Sequence, residues 1–288
     1  LEQLSSELKK NNIDVTPDTI TSVIMMAMEL VEAAAATGAH AIKLQTYTAD
    51  TMTIDSRKPG FVIEDEGSLW AGRNLYDLYA EAHTPWDWHA PIFDRCKAHG
   101  MLGFSAPFDP TAVDFLESLG VELYKIASFE IVDIPLIKKV AATGKPLIIS
   151  TGMSSPEEID EAVAAARGQG NDQVILLKCT SSYPAPPDAT HISAIPTLAK
   201  RYGVMAGLSD HTHGIGVAVA SVAFGARVIE KHFTLSRADG GVDSAFSLEP
   251  AELKALVEET ERAWRAIGTP ELGMRPVEEA SLNFRRSL

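Results

Sequence analysis

Seven short apolar runs recur along the chain, at residues 39–45, 101–105, 121–127, 145–150, 173–180, 203–209 and 226–233. Helix-patterned segments separate them, at 86–99, 111–119, 133–143, 157–167, 190–202 and 214–225, with further ones at 20–37 and 250–267. Apolar strands joined by helices are the mark of parallel βαβ units, because a parallel crossover needs a dozen or more residues. The fold expected is α/β, a (β/α)8 barrel whose first strand is atypical or missing. The alternative is an open doubly wound sheet, but no G-x-G-x-x-G follows an early strand, which weighs against dinucleotide binding. Residues 46–84 interrupt the alternation with Pro59, Gly60 and Gly67 as breakers. They read as a loop excursion carrying short helices, and long excursions on a regular scaffold are often functional. We expect an atypical N-terminal segment at 1–21, the barrel at 22–268 and a linker at 269–288.

In such barrels the chemistry sits at the C-terminal ends of the strands. Standing there are Lys43 and Gln45, Ser105, Lys125 and Ser128, Ser150, Thr180, Ser181 and Tyr183, Ser209, Asp210 and His211, and Glu230 and His232. Serines and threonines are ordinary at strand ends. Two lysines on barrel-facing positions are not, because a buried ammonium costs several kcal/mol unless an anion pairs with it. Lys43 and Lys125 therefore point to a phosphate or carboxylate ligand, with serine hydroxyls completing its hydrogen bonds.

A lone histidine is usually structural. His211 and His232, at the ends of successive strands and each beside a carboxylate (Asp210, Glu230), could meet over one divalent metal. In Val228-Ile229-Glu230-Lys231-His232 the strand period places Glu230 and His232 on one face and Lys231 on the other. A lysine on a barrel strand also suggests a Schiff-base aldolase. That reading leaves the histidines without a role, whereas the metal reading keeps the lysines as anion ligands, so the metal is preferred.

The net charge of −14 argues against nucleic acid and a basic membrane surface as partners. It does not forbid an anionic substrate inside a locally basic cleft. Two cysteines, Cys96 and Cys179, make no disulfide framework. No uninterrupted apolar run is long enough for a membrane span, and the first residues lack a signal-peptide pattern. A cytoplasmic location is expected.

The stretches KLQTYTADTMT, YKIASFEIVDIPLI, KPLIISTGM, LLKCTSSYPAPP, GLSDHT, VIEKHFTL and GGVDSAFSLEP resemble the sialic acid synthase family over residues 33–288. KIASFE and DSAFSLEP are more similar to its pseudaminic acid synthases than to N-acetylneuraminate synthases, which usually read KIGSGE and DHKASLEP. The resemblance implies condensation of phosphoenolpyruvate with an acylated amino sugar, here 2,4-diacetamido-2,4,6-trideoxy-altropyranose, to a nonulosonic acid. An N-acetylneuraminate synthase is one alternative, and a non-catalytic ligand-binding barrel is another. By the same resemblance His211 and His232 hold a divalent metal, usually Mn2+, with Mg2+ or Co2+ as alternatives. Lys43, Lys125, Ser128, Ser150, Ser209 and Ser181, the last where the family often has Asn, surround phosphoenolpyruvate. Gln45, Tyr183, Glu230 and Asp243 bind the sugar, and Glu230 with the two histidines is catalytic. C3 of phosphoenolpyruvate attacks the aldehyde carbon, water adds at C2, and phosphate leaves by C–O cleavage.

Family members open with a strand carrying a catalytic glutamate and close with a small antifreeze-like domain swapped across a homodimer. Neither is expected in this sequence: residues 13–15 are too short for that strand and carry only Asp14. Activity is therefore uncertain on sequence grounds.

Overall fold

The computed structural model describes residues 17–286. Seven strands, β1 (Ala41–Thr46), β2 (Leu102–Pro107), β3 (Tyr124–Ile126), β4 (Leu147–Ser150), β5 (Val174–Cys179), β6 (Met205–Asp210) and β7 (Ile229–Lys231), form one sheet in sequence order. All six pairings are parallel. In a flat sheet β1 and β7 would lie six strand spacings apart, about 29 Å. Instead the Lys43 ammonium on β1 stands 3.1 Å from the Glu230 carboxylate on β7. The sheet is therefore curled into a barrel wall, with β1 and β7 as its two edges among the described residues. Of the atypical N-terminal segment expected at 1–21, residues 1–16 lie outside the described residues.

The strand period sorts the side chains into two cores. Tyr124, Ile126, Leu147, Ile149, Val174, Leu176, Ala206 and Leu208 face outward and pack under the helices. Phe104, Ile148 and Leu177, with Leu102, Leu123, Ile175 and Val228, fill the barrel interior. The next inward positions toward the strand C-termini are Lys125, Ser150, Cys179, Ser209 and Glu230. An apolar plug thus supports a polar floor. Gly207 lets β6 and β7 close up: a Cβ there would stand 2.0 Å from the Val228 carbonyl oxygen.

The helices outside are α1 (Pro17–Thr37), α2 (Ala49–Met52), α3 (Leu75–Ala82), α4 (His89–Ala98), α5 (Pro110–Ser118), α6 (Ile134–Ala141), α7 (Pro156–Arg167), α8 (Ile195–Tyr202), α9 (Gly216–Ala223) and α10 (Pro250–Ala266). The expected start of α7 is a capping box: the Glu158 amide donates to Ser155 Oγ at 3.2 Å and the Ser155 amide to Glu158 Oε2 at 2.7 Å. Asp109 and Asp133 cap α5 and α6 in the same sense, fixing the chain just after β2 and β3. Several expected boundaries move. β3 and β7 are three residues each, shorter than the apolar runs around them. The helix expected at 190–202 begins as 3-10 turns at Pro187–Ala189 and Ile192–Ala194, before Pro196 in the first turn of α8. Residues 276–284, in the expected linker, form an exposed 3-10 stretch. None of the described helices is long and apolar enough to cross a membrane.

Ser105, a strand-end candidate, does not face the barrel. It bonds Thr46 Oγ1 at 2.6 Å, and Thr46 bonds His89 Nε2 at 2.8 Å, all three fully buried. Burial pulls His89 down to about 4 against hydrogen bonds to the Pro85 and Trp86 backbone. The folded chain thus binds fewer protons than the unfolded one between pH 6.5 and about 4. Stability is intact above 6.5 and falls as the pH drops through that window, by about 3 kcal/mol in all. Urea unfolding of wild type and His89→Gln measures this directly. The stability difference between them should shift by that amount from neutral pH to about 4, and a pH-independent difference would refute the assignment.

Candidate active site

Glu230 organises the polar floor. β7 aims it inward, and its carboxylate takes the Lys43 ammonium at 3.1 Å, the Lys125 ammonium at 3.6 Å and the Ser209 hydroxyl at 2.9 Å. Burial alone would raise this carboxyl. The Lys125 and Lys43 charges and the Ser209 hydrogen bond outweigh it and hold Glu230 well below the usual carboxylate range. Lys125 is 1% exposed. Burial lowers it to about 8 despite Glu230, and Lys43 adds repulsion. Two ammonium groups share one carboxylate, so the floor carries a surplus positive charge that an anion can neutralise.

Beside this floor lies a hydroxyl cradle. The Gly152 amide donates to Ser128 Oγ at 3.1 Å. Ser150 and Ser181 each bury a hydroxyl oxygen that closes no hydrogen bond of normal geometry. Buried polar atoms of this kind ask for a partner, and oxygens of an oxyanion supply one. The cradle exists because residue 152 has no side chain. A Cβ there would stand 2.3 Å from Ser181 Oγ and 2.8 Å from Ser128 Oγ. Gly152→Ala should therefore raise the dissociation constant for an oxyanion, with inorganic phosphate as the probe, by about 10-fold or more, the scale of one displaced charge-assisted hydrogen bond, with the fold retained. Calorimetric titration with near-native affinity in that variant would show that the cradle holds nothing.

The two histidines meet at the same end of the sheet. Their ring centroids are 5.3 Å apart. His211 Nδ1 pairs with the Thr180 carbonyl oxygen at 2.9 Å, and His232 Nδ1 with Asp243 Oδ2 at 3.3 Å. Each contact engages Nδ1 and leaves Nε2 as the ring's open nitrogen, the arrangement in which outer partners orient metal-binding imidazoles. This donor set fits a divalent cation. Among the described residues no third His, Cys, Asp or Glu completes a cluster with them. Tyr183 stands against His211 with centroids 4.4 Å apart, and Phe246 packs against His232 at 4.9 Å.

Lys43, Lys125, Ser209 and Glu230 thus form one hydrogen-bonded and ionic group, Ser128, Ser150 and Ser181 lie around or beside Gly152, and Tyr183 joins the histidines. Gln45, two residues beyond Lys43, shares its face of β1. Asp243 is held against His232. Asp210, counted beside His211 on sequence grounds, faces the opposite way: it pairs with buried Lys231 at 3.1 Å and accepts the Thr212 amide at 3.0 Å. That buried lock fixes the loop carrying His211. Sequence reasoning passes over Glu130. It follows Ser128 in a 3-10 turn at Phe129–Val132 and buries Oε2 without a hydrogen bond. Burial raises its carboxyl to about 7 against the pull of its own backbone amide and of Lys125. A glutamate two residues past a site serine was the available signal.

Fold and site together define the class: a barrel enzyme of the (β/α)8 type, with a serine cluster, two ammonium groups and paired histidines at the C-terminal ends of its strands. The model of the NeuB family matches residues 30–271, and the chain belongs to that family. It is 41% identical over 263 residues to the pseudaminic acid synthase of Campylobacter jejuni, covering 91% of this chain and 76% of that protein. It is 36% identical to an N,N'-diacetyllegionaminic acid synthase of the same species, covering 91% and 79%. Among solved structures, the N-acetylneuraminic acid synthetase of Leptospira borgpetersenii superposes with a TM-score of 0.79 at 33% identity, covering 92% of this chain and 87% of that one. A truncated 3-deoxy-D-arabino-heptulosonate 7-phosphate synthase of Thermotoga maritima, at 17% identity and a TM-score of 0.65, shares the fold.

Proposed function

We propose that the chain is a transferase that condenses phosphoenolpyruvate with an acylated amino sugar, releasing phosphate and forming a nonulosonic acid of the pseudaminic type. The observation that carries this reading is the Lys43–Glu230–Lys125 bridge beside the serine cradle and the histidine pair. The ammonium groups and the hydroxyls of Ser128, Ser150 and Ser181 bind the phosphate and carboxylate of phosphoenolpyruvate. Glu230, fixed by Ser209 and ionised at neutral pH, faces the positive charge that develops at C2 and stabilises it. Glu130, whose Oε2 is buried without a hydrogen bond and whose carboxyl burial raises to about 7, is the other acidic group near Lys125. Gln45, Tyr183 and Asp243 line the acceptor end. His211 and His232 would hold a divalent cation, Mn2+ being the expected one, which when bound polarises the sugar aldehyde as a Lewis acid. The 41% identity to a pseudaminic acid synthase supports the diacetamido-trideoxy acceptor over N-acetylmannosamine.

A phosphate-release assay with single omissions tests the reading. Release should require phosphoenolpyruvate, the diacetamido-trideoxy sugar and a divalent cation together. Intact binding of phosphoenolpyruvate with no release under any combination would favour a non-catalytic barrel.

A further inference from the structure

The excursion between β1 and α4 is an ordered unit, built by its own polar contacts. Val62 and Asn74 form an antiparallel bridge, and the Gly72 amide bonds the Ile63 carbonyl at 2.8 Å. Asn74 caps α3 through Oδ1, and its amide donates to the Ser56 and Phe61 carbonyls at 2.7 and 3.1 Å. Arg57 makes a two-pronged contact with Asp77, at 2.8 and 2.9 Å. Trp70, near its tip, joins this unit to the barrel mouth in two ways. The indole N–H donates to the Val242 carbonyl at 3.0 Å, one residue before the Asp243 that holds His232. The indole ring lies against Tyr183, with centroids 6.0 Å apart and planes inclined at 51°. Tyr183 in turn touches His211 and Phe246.

We infer that Trp70 is a specificity-determining residue. Its ring and that of Tyr183 form an apolar wall for the C6 methyl of a deoxy sugar acceptor. Its N–H holds the Asp243 loop in register with that wall. The inference rests on the proposed condensation for its substrate class. Aromatic faces accept C–H groups and offer a sugar hydroxyl no partner. A wall of this kind therefore discriminates at the level of one group, about 10-fold to 100-fold. The hydroxymethyl group of N-acetylmannosamine is disfavoured there, and the C6 methyl of 2,4-diacetamido-2,4,6-trideoxy-altropyranose is favoured.

The test compares wild type, Trp70→Phe and Trp70→Ala with these two sugars as probes, by steady-state kinetics and by saturation-transfer NMR on the sugar methyl signals. Trp70→Ala should raise KM for the diacetamido sugar by about 10-fold or more and erase most of the preference over N-acetylmannosamine. KM for phosphoenolpyruvate should stay within about 2-fold, because the wall lies outside the anion cradle. Trp70→Phe keeps a ring and loses the tether, so it should keep the preference at a higher KM. Saturation transfer to the C6 methyl should be strong in wild type and weak in Trp70→Ala. If wild type binds the sugar in this way yet turns nothing over, the condensation reading fails and the wall stands. An unchanged preference in Trp70→Ala, or methyl signals that receive no saturation in wild type, would overturn the inference.

Discussion

Glu230→Gln should lower kcat by about 10²-fold to 10³-fold, the scale of losing one preorganised electrostatic contact to a developing charge. The same change leaves Lys43 and buried Lys125 facing each other without their carboxylate. Removing one partner from a buried charge group costs roughly 3 kcal/mol or more, so the unliganded variant should also unfold at a lower temperature. Bound as proposed, phosphoenolpyruvate would bring replacement negative charge to the same ammonium groups. Its binding should therefore raise the unfolding temperature of Glu230→Gln by more than it raises that of wild type. Affinity for phosphoenolpyruvate should change far less than kcat, because the cradle and both lysines remain. Thermal unfolding with and without the anion, set beside single-turnover rates, separates the two roles. A kcat within a few-fold of wild type would remove Glu230 from the chemistry.

The second large effect is expected at the histidines. His211→Ala and His232→Ala should each weaken Mn2+ binding, read by titration calorimetry or paramagnetic resonance, and should lower turnover at fixed cation concentration. Asp243→Asn retains both imidazoles but weakens the partner of His232 Nδ1. Loss of such an outer partner lowers metal affinity by about 10-fold to 100-fold, and excess Mn2+ should restore its rate. The alanine variants should not be rescued to the same level. Cation binding that is indifferent to all three substitutions would place the cation elsewhere.

Much of this arrangement was legible in the sequence because strands and helices carry different periods. All seven expected strands are present, and Glu230 and Lys231 point to opposite faces as the period of two requires. Glu230 faces the barrel and Lys231 the buried pair with Asp210. The expectation that Lys43 and Lys125 call for an anionic ligand is met in the folded chain by an internal carboxylate: both ammonium groups stand beside Glu230. What the sequence hid depends on contacts between distant segments. Asp210 and Ser105 stand at strand ends, yet their strand positions turn them out of the barrel, toward Lys231 and Thr46. The contact of Asp243 with His232 needs the loop after β7 to fold back. The placement of Trp70 needs a hydrogen bond across 172 residues of sequence. Glu130 is one more acidic residue in a strand-to-helix turn until its Oε2 is seen to be buried without a hydrogen bond.

The proposed chemistry needs an anion cradle and a histidine pair to cooperate in carbon–carbon bond formation with loss of phosphate. Phosphoenolpyruvate carrying 18O at its bridging oxygen, incubated with the chain, the diacetamido-trideoxy sugar and Mn2+, tests this most directly by mass spectrometry of both products. The account predicts that the label appears in the released phosphate and that a nonulosonic acid forms in equal amount. Unlabelled phosphate, or a borohydride-trapped adduct on Lys125 with no need for a cation, would contradict it.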